Sequence, residues 1–289
     1  MTGINLLSRN ARTKNQSLYF GGEASYTKGY FESPQDFNRF NGLIKYHGKI
    51  SNRSSFTSYI SGFSSKWDAS GQIPDRAVNS GSIGWYGAID DTEGGKTSRY
   101  NFNNTLITNF DNGLRWKNHL YYSRYHFELY SNFTFFLENP VDGDQIKQKE
   151  ARSLSGFNST IEKEHALGNK KAWLNAGLQS RFDKTKNTEL SSTKNRNELL
   201  NPIMNGDISE TNIALFAEEK IKLNNKLDLA VGIRGDYFAN KYTDHLFDTK
   251  ASSSSFIASP KLNINYRVND KVQLYWYNGQ GFRYACLGQ

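Results

Sequence analysis

The segment KAWLNAGLQSRF, residues 171–182, alternates apolar and polar residues at nearly every position. One parity contains Ala172, Leu174, Ala176, Leu178 and Phe182, and the other contains Lys171, Asn175, Gly177, Gln179 and Arg181. Successive side chains of a β-strand point to opposite faces of its sheet. The segment is therefore predicted to be a strand with one apolar face and one wet face, and stretches of this kind recur about eleven times along the chain.

Short turns and long polar segments alternate between the predicted strands. Short turns are predicted at 111–113, 165–170, 224–226 and 268–270, and long segments at 66–97, 129–149, 184–210 and 240–255. Outer-membrane barrels combine short periplasmic turns with long extracellular loops. The pattern predicts an all-β fold, a transmembrane antiparallel up-and-down β-barrel.

The composition agrees with a barrel better than with other membrane or soluble folds. The chain has 289 residues, 37% hydrophobic residues and a mean hydropathy of −0.71, yet 14% of its residues are aromatic. The sequence contains no apolar run long enough for a transmembrane helix, which needs roughly 18 residues or more. In a barrel only every second residue faces lipid, and Tyr and Trp form the interfacial girdles.

The charge does not indicate a nucleic-acid partner. The formal net charge is +8, but Lys and Arg are spread along the whole chain without a dense basic block. The single cysteine, Cys286, excludes an internal disulfide framework and a thiolate metal cluster.

The hairpin at 212–238 is the clearest pair of predicted strands. Residues 212–223 also fit a helix of period 3.6, but residues 227–237 alternate strictly and need a partner strand across a short turn. A strand is therefore the preferred interpretation of both halves.

Three segments carry a family resemblance. LFAEEKIKLNNKLDLAVGIRGDYF at 215–238 resembles a barrel hairpin of TonB-dependent outer-membrane receptors, and SPKLNINYRVNDKVQLYWYNGQGFR at 259–283 resembles a later hairpin of the same family. WDASGQIPDRAVNSGSIGWYGAIDDTEGG at 67–95 resembles an extracellular loop of a subset of these receptors.

The resemblance implies a receptor that imports a scarce ligand across the outer membrane of a Gram-negative bacterium. Such barrels have about 22 strands and a plugged lumen, so the chain is expected to be a fragment of about half a barrel. Residues 1–10 are similar to the end of the plug domain, and 11–289 to part of the barrel. The TonB complex would be contacted through the plug region, expected upstream, while outer-membrane lipid surrounds the barrel.

The resemblance leaves the extracellular ligand open among iron chelates, cobalamin and glycans. A ferric siderophore or another iron chelate is the preferred hypothesis. Two other classes of function remain: a plugless porin or passive channel, and a soluble β-sandwich or adhesin, since both would show alternation.

Ligand contacts are predicted in the outer loops and on the wet strand face. The loop candidates combine a cation, aromatic rings and acids: Arg76, Trp85, Tyr86, Asp90 and Asp91. Parity gives the lumen-facing candidates Arg234, Asp236, Lys261, Asn263, Asn265 and Arg267. Alternatively, the loop residues serve to fold the loop, and the strand residues contact the plug.

No catalytic residue, cofactor site or metal site is predicted. Gly95-Lys96-Thr97 resembles the end of a phosphate-binding loop, but Asp90 stands where that motif requires glycine. The five histidines have no ligand spacing, and the acidic turns at 90–91 and 142–144 are read as solvated turns rather than calcium sites.

Overall fold

The structure, a computed structural model, describes residues 2–6 and 11–282. Its elements in chain order are β1 Thr2–Leu6, β2 Ala11–Arg12, β3 Gln16–Thr27, β4 Phe37–Lys49, β5 Ser54–Ala69, α1 Asp75–Asn79, β6 Glu93–Asn109, β7 Leu114–Ser131, β8 Ile146–Leu167, β9 Lys170–Lys194, β10 Glu198–Lys222, β11 Leu227–Asp244, β12 Thr249–Arg267 and β13 Gln273–Gly279. No helix among the described residues is long and apolar enough to cross a membrane. Cys286 and part of the predicted plug segment 1–10 lie outside the described residues.

All strands belong to one antiparallel sheet, in which each strand from β3 onward pairs with the next along the chain. The order runs from β3 to β13 without a crossover, while β1 and β2 both pair with β3. The predicted all-β, up-and-down architecture of about eleven long strands is thus confirmed. Within the described residues β13 pairs only with β12, so the sheet is open.

The cross-strand register keeps the apolar and polar residues on separate faces. Leu215 lies opposite Leu178 on one side, while Ala214, one residue earlier, lies between Gln179 and Asp236. Large side chains on the apolar face remain uncovered in the isolated sheet; Leu215 is 64% exposed and Phe256 is 69% exposed. In the described part of the chain Ala172 and Ala214 are the buried hydrophobic residues, so the apolar residues form a surface rather than an interior core.

The hairpin at 212–238 is formed by strands in both halves, as predicted. Residues 206–222 of β10 pair in continuous register with 228–244 of β11 across the turn at 223–226. Asn224 fixes this turn, because its Oδ1 accepts the backbone N–H of Lys226 at 2.8 Å.

Two of the predicted long segments are strands instead of loops. β9 and β10 contain 25 residues each, and only residues 195–197 connect them, so the prediction of a loop at 184–210 was wrong. Segment 240–255 likewise reduces to a connection at 245–248. These segments consist mainly of serine, threonine, asparagine and lysine. Because both faces of such a strand are polar, the sequence shows no alternation of apolar and polar residues.

The remaining long connections are true loops at the same end of the sheet. Residues 70–92 join β5 to β6 and include α1, and residues 132–145 join β7 to β8. The connections at 195–197 and 245–248 lie at this end too, whereas the predicted short turns lie at the opposite end of the strands. We call the first the loop end and the second the turn end.

Candidate functional site

The polar face of the sheet presents charged side chains from neighbouring strands to one another. Arg181 of β9 lies opposite Asn212 of β10, and Gln179 and Asp236 flank Ala214. Paired residues project their side chains to the same face, so these side chains lie beside each other.

Arg234 and Asp236, two of the predicted lumen-facing residues, form the centre of one such cluster. Arg234 donates from Nε to Asp236 Oδ2 at 2.7 Å and from Nη2 to Oδ1 at 2.8 Å. Its Nη1 reaches Gln179 Oε1 at 2.7 Å, and Asn212 Nδ2 donates to Asp236 Oδ1 at 3.2 Å. Asp236 is 1% exposed, so its carboxylate is fixed within the sheet by these partners.

The other four predicted residues share the polar face on β12: Lys261, Asn263, Asn265 and Arg267. Lys261 Nζ donates to Glu218 Oε2 at 2.7 Å, and Asn265 Oδ1 accepts from Tyr277 Oη at 3.3 Å. They run along the strand toward the turn end, so the six predicted residues occupy one face without forming one compact pocket.

A second charged cluster, which the sequence analysis missed, spans β8, β9 and β10. Arg152 donates from Nε to Asp183 Oδ1 at 2.8 Å and from Nη2 to Asp183 Oδ2 at 2.6 Å. Arg181 Nη2 also donates to Asp183 Oδ2, at 2.9 Å. Asp183 is 4% exposed, and Glu150 and Glu210 lie 3.7 and 3.9 Å from Arg152. The two-residue spacing of Arg181 and Asp183 indicates that both side chains lie on the same strand face. Asp183 was missed because it adjoins the predicted loop at 184–210.

Beside this second cluster the polar face forms a cavity of about 480 Å³. Its lining includes Arg99, Asn101, Tyr121, Tyr125, Arg152 and Arg181. The Arg99 guanidinium lies 4.7 Å from the centre of the Tyr125 ring and, among the described residues, makes no ion pair. Glu150 also lines the cavity and lies 3.7 Å from Arg152. The cavity therefore offers an arginine without an ion pair and phenol groups, a chemistry suited to an anionic or oxygen-rich ligand.

Asp90, a predicted ligand-facing residue, accepts hydrogen bonds from other loop residues with both carboxylate oxygens. Its Oδ1 accepts from Thr92 N at 2.9 Å and Thr92 Oγ1 at 2.5 Å, and its Oδ2 accepts from Asn132 Nδ2 at 2.9 Å and Gln145 Nε2 at 3.0 Å. Burial acts to raise the pKa of Asp90, but these hydrogen bonds outweigh it and hold the pKa below its usual value.

Gln145 joins both long loops to the tip of the β9–β10 hairpin. It is 2% exposed. Besides Asp90, its Nε2 donates to Thr92 Oγ1 at 2.7 Å, while its Oε1 accepts from Thr193 Oγ1 at 3.2 Å and from the Arg196 backbone N–H at 2.9 Å. We call Asp90, Thr92, Asn132, Gln145 and Arg196 the loop network.

Arg196 completes the loop network from the hairpin tip. Its backbone has φ +63°, a left-handed conformation that costs a non-glycine residue energy. Its guanidinium donates to the carbonyl oxygens of Thr92 and Glu93 and lies 2.8 Å from Asp68 Oδ1. These partners are over a hundred residues away in sequence, so no local motif indicated them.

The other predicted loop residues are exposed at the loop end. Trp85 is 73% exposed and Tyr86 is 53% exposed, and Arg76 and Asp91 are exposed as well. Among the described residues the Arg76 and Asp91 side chains make no hydrogen bond or ion pair. They are available to a ligand, in contrast to Asp90.

An aromatic cluster missed from the sequence surrounds Tyr86. Tyr30 stacks on Phe31 with ring centres 4.9 Å apart, and Tyr86 meets their rings edge-on at 5.5 and 6.2 Å. The Glu32 N–H also donates to the Tyr86 carbonyl oxygen at 2.9 Å. The connection at 28–36 thereby joins loop 70–92 in one aromatic surface.

The structure gives no metal-ligating group of three or more His, Cys, Asp or Glu residues within 2–6 and 11–282. In the acidic turn at 142–144, Asp142 pairs with Lys194 Nζ at 2.8 Å and Asp144 accepts three backbone N–H groups. Lys96 lies in strand β6 and contacts Glu128 at 3.1 Å, so Gly95-Lys96-Thr97 does not open a helix as a phosphate-binding loop would.

Solved structures with similar folds are named as transporters or import receptors. The ferric citrate transporter FecA in its unliganded form matches with a TM-score of 0.76 and 12% identity, over 94% of this chain and 40% of that chain. The open form of the ferric-catecholate import receptor Fiu from E. coli K12 matches at 0.71 and 8%, over 94% and 51%. The copper transporter OprC matches at 0.69 and 12%, over 94% and 42%.

The chain spans 40% to 51% of the length of these three structures. At such low identity they show the fold alone, and no curated protein matches the chain. The family assignment comes from the sequence, because residues 12–284 match the family described as TonB dependent receptor-like, beta-barrel. The chain therefore belongs to the TonB-dependent receptor β-barrel family, as its sequence resemblance had indicated.

Proposed function

We propose that this chain forms part of the barrel wall of an outer-membrane receptor that imports a scarce ligand in a TonB-dependent manner. Members of the family are transporters of the Gram-negative outer membrane, not enzymes. One observation carries the proposal: a single sheet of long antiparallel strands has one continuous apolar face and one charged, ordered polar face. Lipid would cover the first face, and the second would line the lumen.

The ligand we propose is a ferric siderophore or another iron chelate. Two of the similar structures are named for ferric citrate and ferric-catecholate. The chemistry of the polar face agrees, because Arg99, Tyr121 and Tyr125 present a cation and phenol groups in one cavity. Metal chelates expose carboxylate, catecholate or hydroxamate oxygens that such groups can bind. The name of OprC makes copper the first competitor to test.

At the loop end we propose that Arg76, Trp85, Tyr86 and Asp91 make the first contacts with the ligand. All four are exposed, and Tyr86 continues into the aromatic surface with Tyr30 and Phe31. Exposed aromatic rings and an unpaired arginine are the residue types that dominate binding energy at recognition surfaces.

The proposal is tested by growth and uptake in a receptor-deficient strain that carries the complete gene. Under iron limitation, growth on one of ferric citrate, a ferric catecholate or a ferric hydroxamate should depend on the gene and on TonB. Copper and cobalamin serve as competing ligands. Uptake that persists without TonB would support the passive channel, and a product that needs no detergent for extraction would support a soluble adhesin.

The loop contacts are tested with Arg76→Ala combined with Trp85→Ala. Loss of about 1 kcal/mol for each contact should raise the half-saturating ligand concentration roughly thirtyfold. Phe133→Ala is the matched control, because Phe133 is a 69% exposed aromatic residue in the neighbouring loop. Equal effects of both changes would remove these residues from the binding surface.

A further inference from the structure

Basic side chains accumulate on the apolar side of the sheet near the loop end. Lys66 of β5 lies opposite Lys96 of β6, and Glu128 of β7 separates Lys96 from Lys149 of β8. Four residues nearer the turn end on β7, Arg124 lies opposite Ser153, which lies opposite Lys184. Five neighbouring strands thus contribute cations to one band.

This band begins where the apolar surface ends. Arg124 follows Tyr122 and Leu120 at two-residue spacing on β7, and Lys184 follows Phe182 on β9. Leu120 is 50% exposed, Tyr122 40% and Phe182 46%, all on that face. A lipid in contact with these apolar side chains would therefore have its headgroup at the height of the basic residues.

The band keeps a positive excess after its internal ion pairs are counted. Its basic members are Lys66, Lys96, Arg124, Lys147, Lys149, Lys184 and Lys186. Its carboxylates are Glu128, 3.1 Å from Lys96, Glu189, 3.0 Å from Lys147, and Asp207 of β10, which accepts the N–H of Asn187 next to Lys186 at 2.8 Å. Seven cations less three carboxylates leave an excess of four positive charges.

A cavity of about 410 Å³ lies within the band. Its lining includes Lys96, Lys149, Ser64, Ser98 and His126. Two carboxylates also line it, and each has a cation partner: Glu128 contacts Lys96, and Glu150 lies 3.7 Å from Arg152. Ammonium and hydroxyl groups of this kind are common donors to phosphate oxygens. Lys96 is 63% exposed in its side chain, so its charge remains accessible despite the contact with Glu128.

We propose that this band, and the cavity inside it, bind the phosphate groups of anionic lipids in the membrane leaflet at the loop end. The lipid, rather than a free anion, is the occupant because the site adjoins the apolar face directly, so one molecule can use both surfaces. Basic clusters next to a membrane-spanning segment attract anionic headgroups at about 1 kcal/mol for each cation. This proposal rests on the membrane location proposed above.

The test compares two variants with equal charge. In the first, Lys96→Gln, Arg124→Gln and Lys149→Gln remove three charges from the band. In the control, Lys45→Gln, Lys117→Gln and Lys271→Gln remove three charges from the polar face and a turn. Each full chain is incorporated from detergent into phosphatidylcholine vesicles with or without phosphatidylglycerol, and retained lipids are counted by native mass spectrometry after extraction.

The parent chain and the control should retain phosphatidylglycerol in preference to phosphatidylcholine. The band variant should lose that preference by roughly a hundredfold in apparent affinity, as three interactions of about 1 kcal/mol each would give. Equal retention by band variant and control would overturn the proposal, as would displacement of the lipid by inorganic phosphate at concentrations that leave the vesicles intact. Failure to enter either kind of vesicle would instead contradict the membrane location.

Discussion

Gln145→Leu should lower the local stability of the loops at the loop end without unfolding the sheet. The change keeps a similar side-chain volume but removes two donated and two accepted hydrogen bonds within the loop network. The hydrogen bond to the Asp90 carboxylate contributes about 2 kcal/mol, and each of the three hydrogen bonds between neutral groups contributes about 1 kcal/mol or less. Since the remaining partners re-form part of the network or reach water, we expect a net loss of about 3 kcal/mol.

Hydrogen–deuterium exchange of the chain in detergent measures this loss directly. A decrease of about 3 kcal/mol in the opening free energy should accelerate exchange in 70–92, 132–145 and 195–197 by roughly a hundredfold. Exchange in the middle of β9 and β10 should stay unchanged. Gln72→Leu is the matched control, because Gln72 is an exposed glutamine in the same loop. Equal exchange in the two variants would refute the role that we give to Gln145.

Three further outcomes are expected. Asp236→Ala should lower the free energy of unfolding in urea by about 2–3 kcal/mol. This is less than the loss of a fully buried ion pair would cost, because the Arg234 side chain is 33% exposed. An unchanged urea midpoint of unfolding would show that the ion pair adds nothing to stability. Acidification should loosen the loop network, because the pKa of Asp90 is lowered in the folded state. The stability from its ionised form is present above its unfolded pKa of about 3.9 and is lost as pH falls through the folded pKa. An opening free energy of the loops that stays constant from pH 6 to roughly pH 3, after correction of the exchange rates for intrinsic amide exchange, would contradict this. Gly177→Ala should lower the thermal stability of the sheet, since the new Cβ would lie 2.5 Å from a backbone oxygen of β8. Gly42→Ala should be tolerated, because its Cβ would meet no atom within 4 Å. Equal thermal stability of the two variants would disprove the steric argument.

The faces of the strands could be predicted because alternation is a local property. The parity of 171–182 and 227–237 placed the apolar residues of β9 and β11 on one side, and the register carries that side across the sheet. The helix alternative for 212–223 failed for the same reason, since its partner strand fixes an extended backbone. Parity also placed Arg234 and Asp236 on the polar face, where the half-buried arginine pairs with a buried carboxylate.

The loop end was predicted less well because its structure depends on distant contacts. Asp90 carried the right residue type for a ligand contact, but its partners Asn132 and Gln145 are 42 and 55 residues away. The extension of β9 and β10 was missed because strand segments with two polar faces lack the alternation that marks the rest. Whether the exposed loop residues bind ligand remains a prediction.

The tip of the β9–β10 hairpin affects how this protein can be labelled. Hairpin tips are ordinarily the places where an epitope tag or a fluorophore is accepted, because few contacts constrain them. Here Arg196 connects that tip to residues 68, 92 and 93, so an insertion at 195–197 would pull apart three connections at once. The connection at 245–248, whose hydrogen bonds go to neighbouring positions of β10 and β11, is the better place for a surface label.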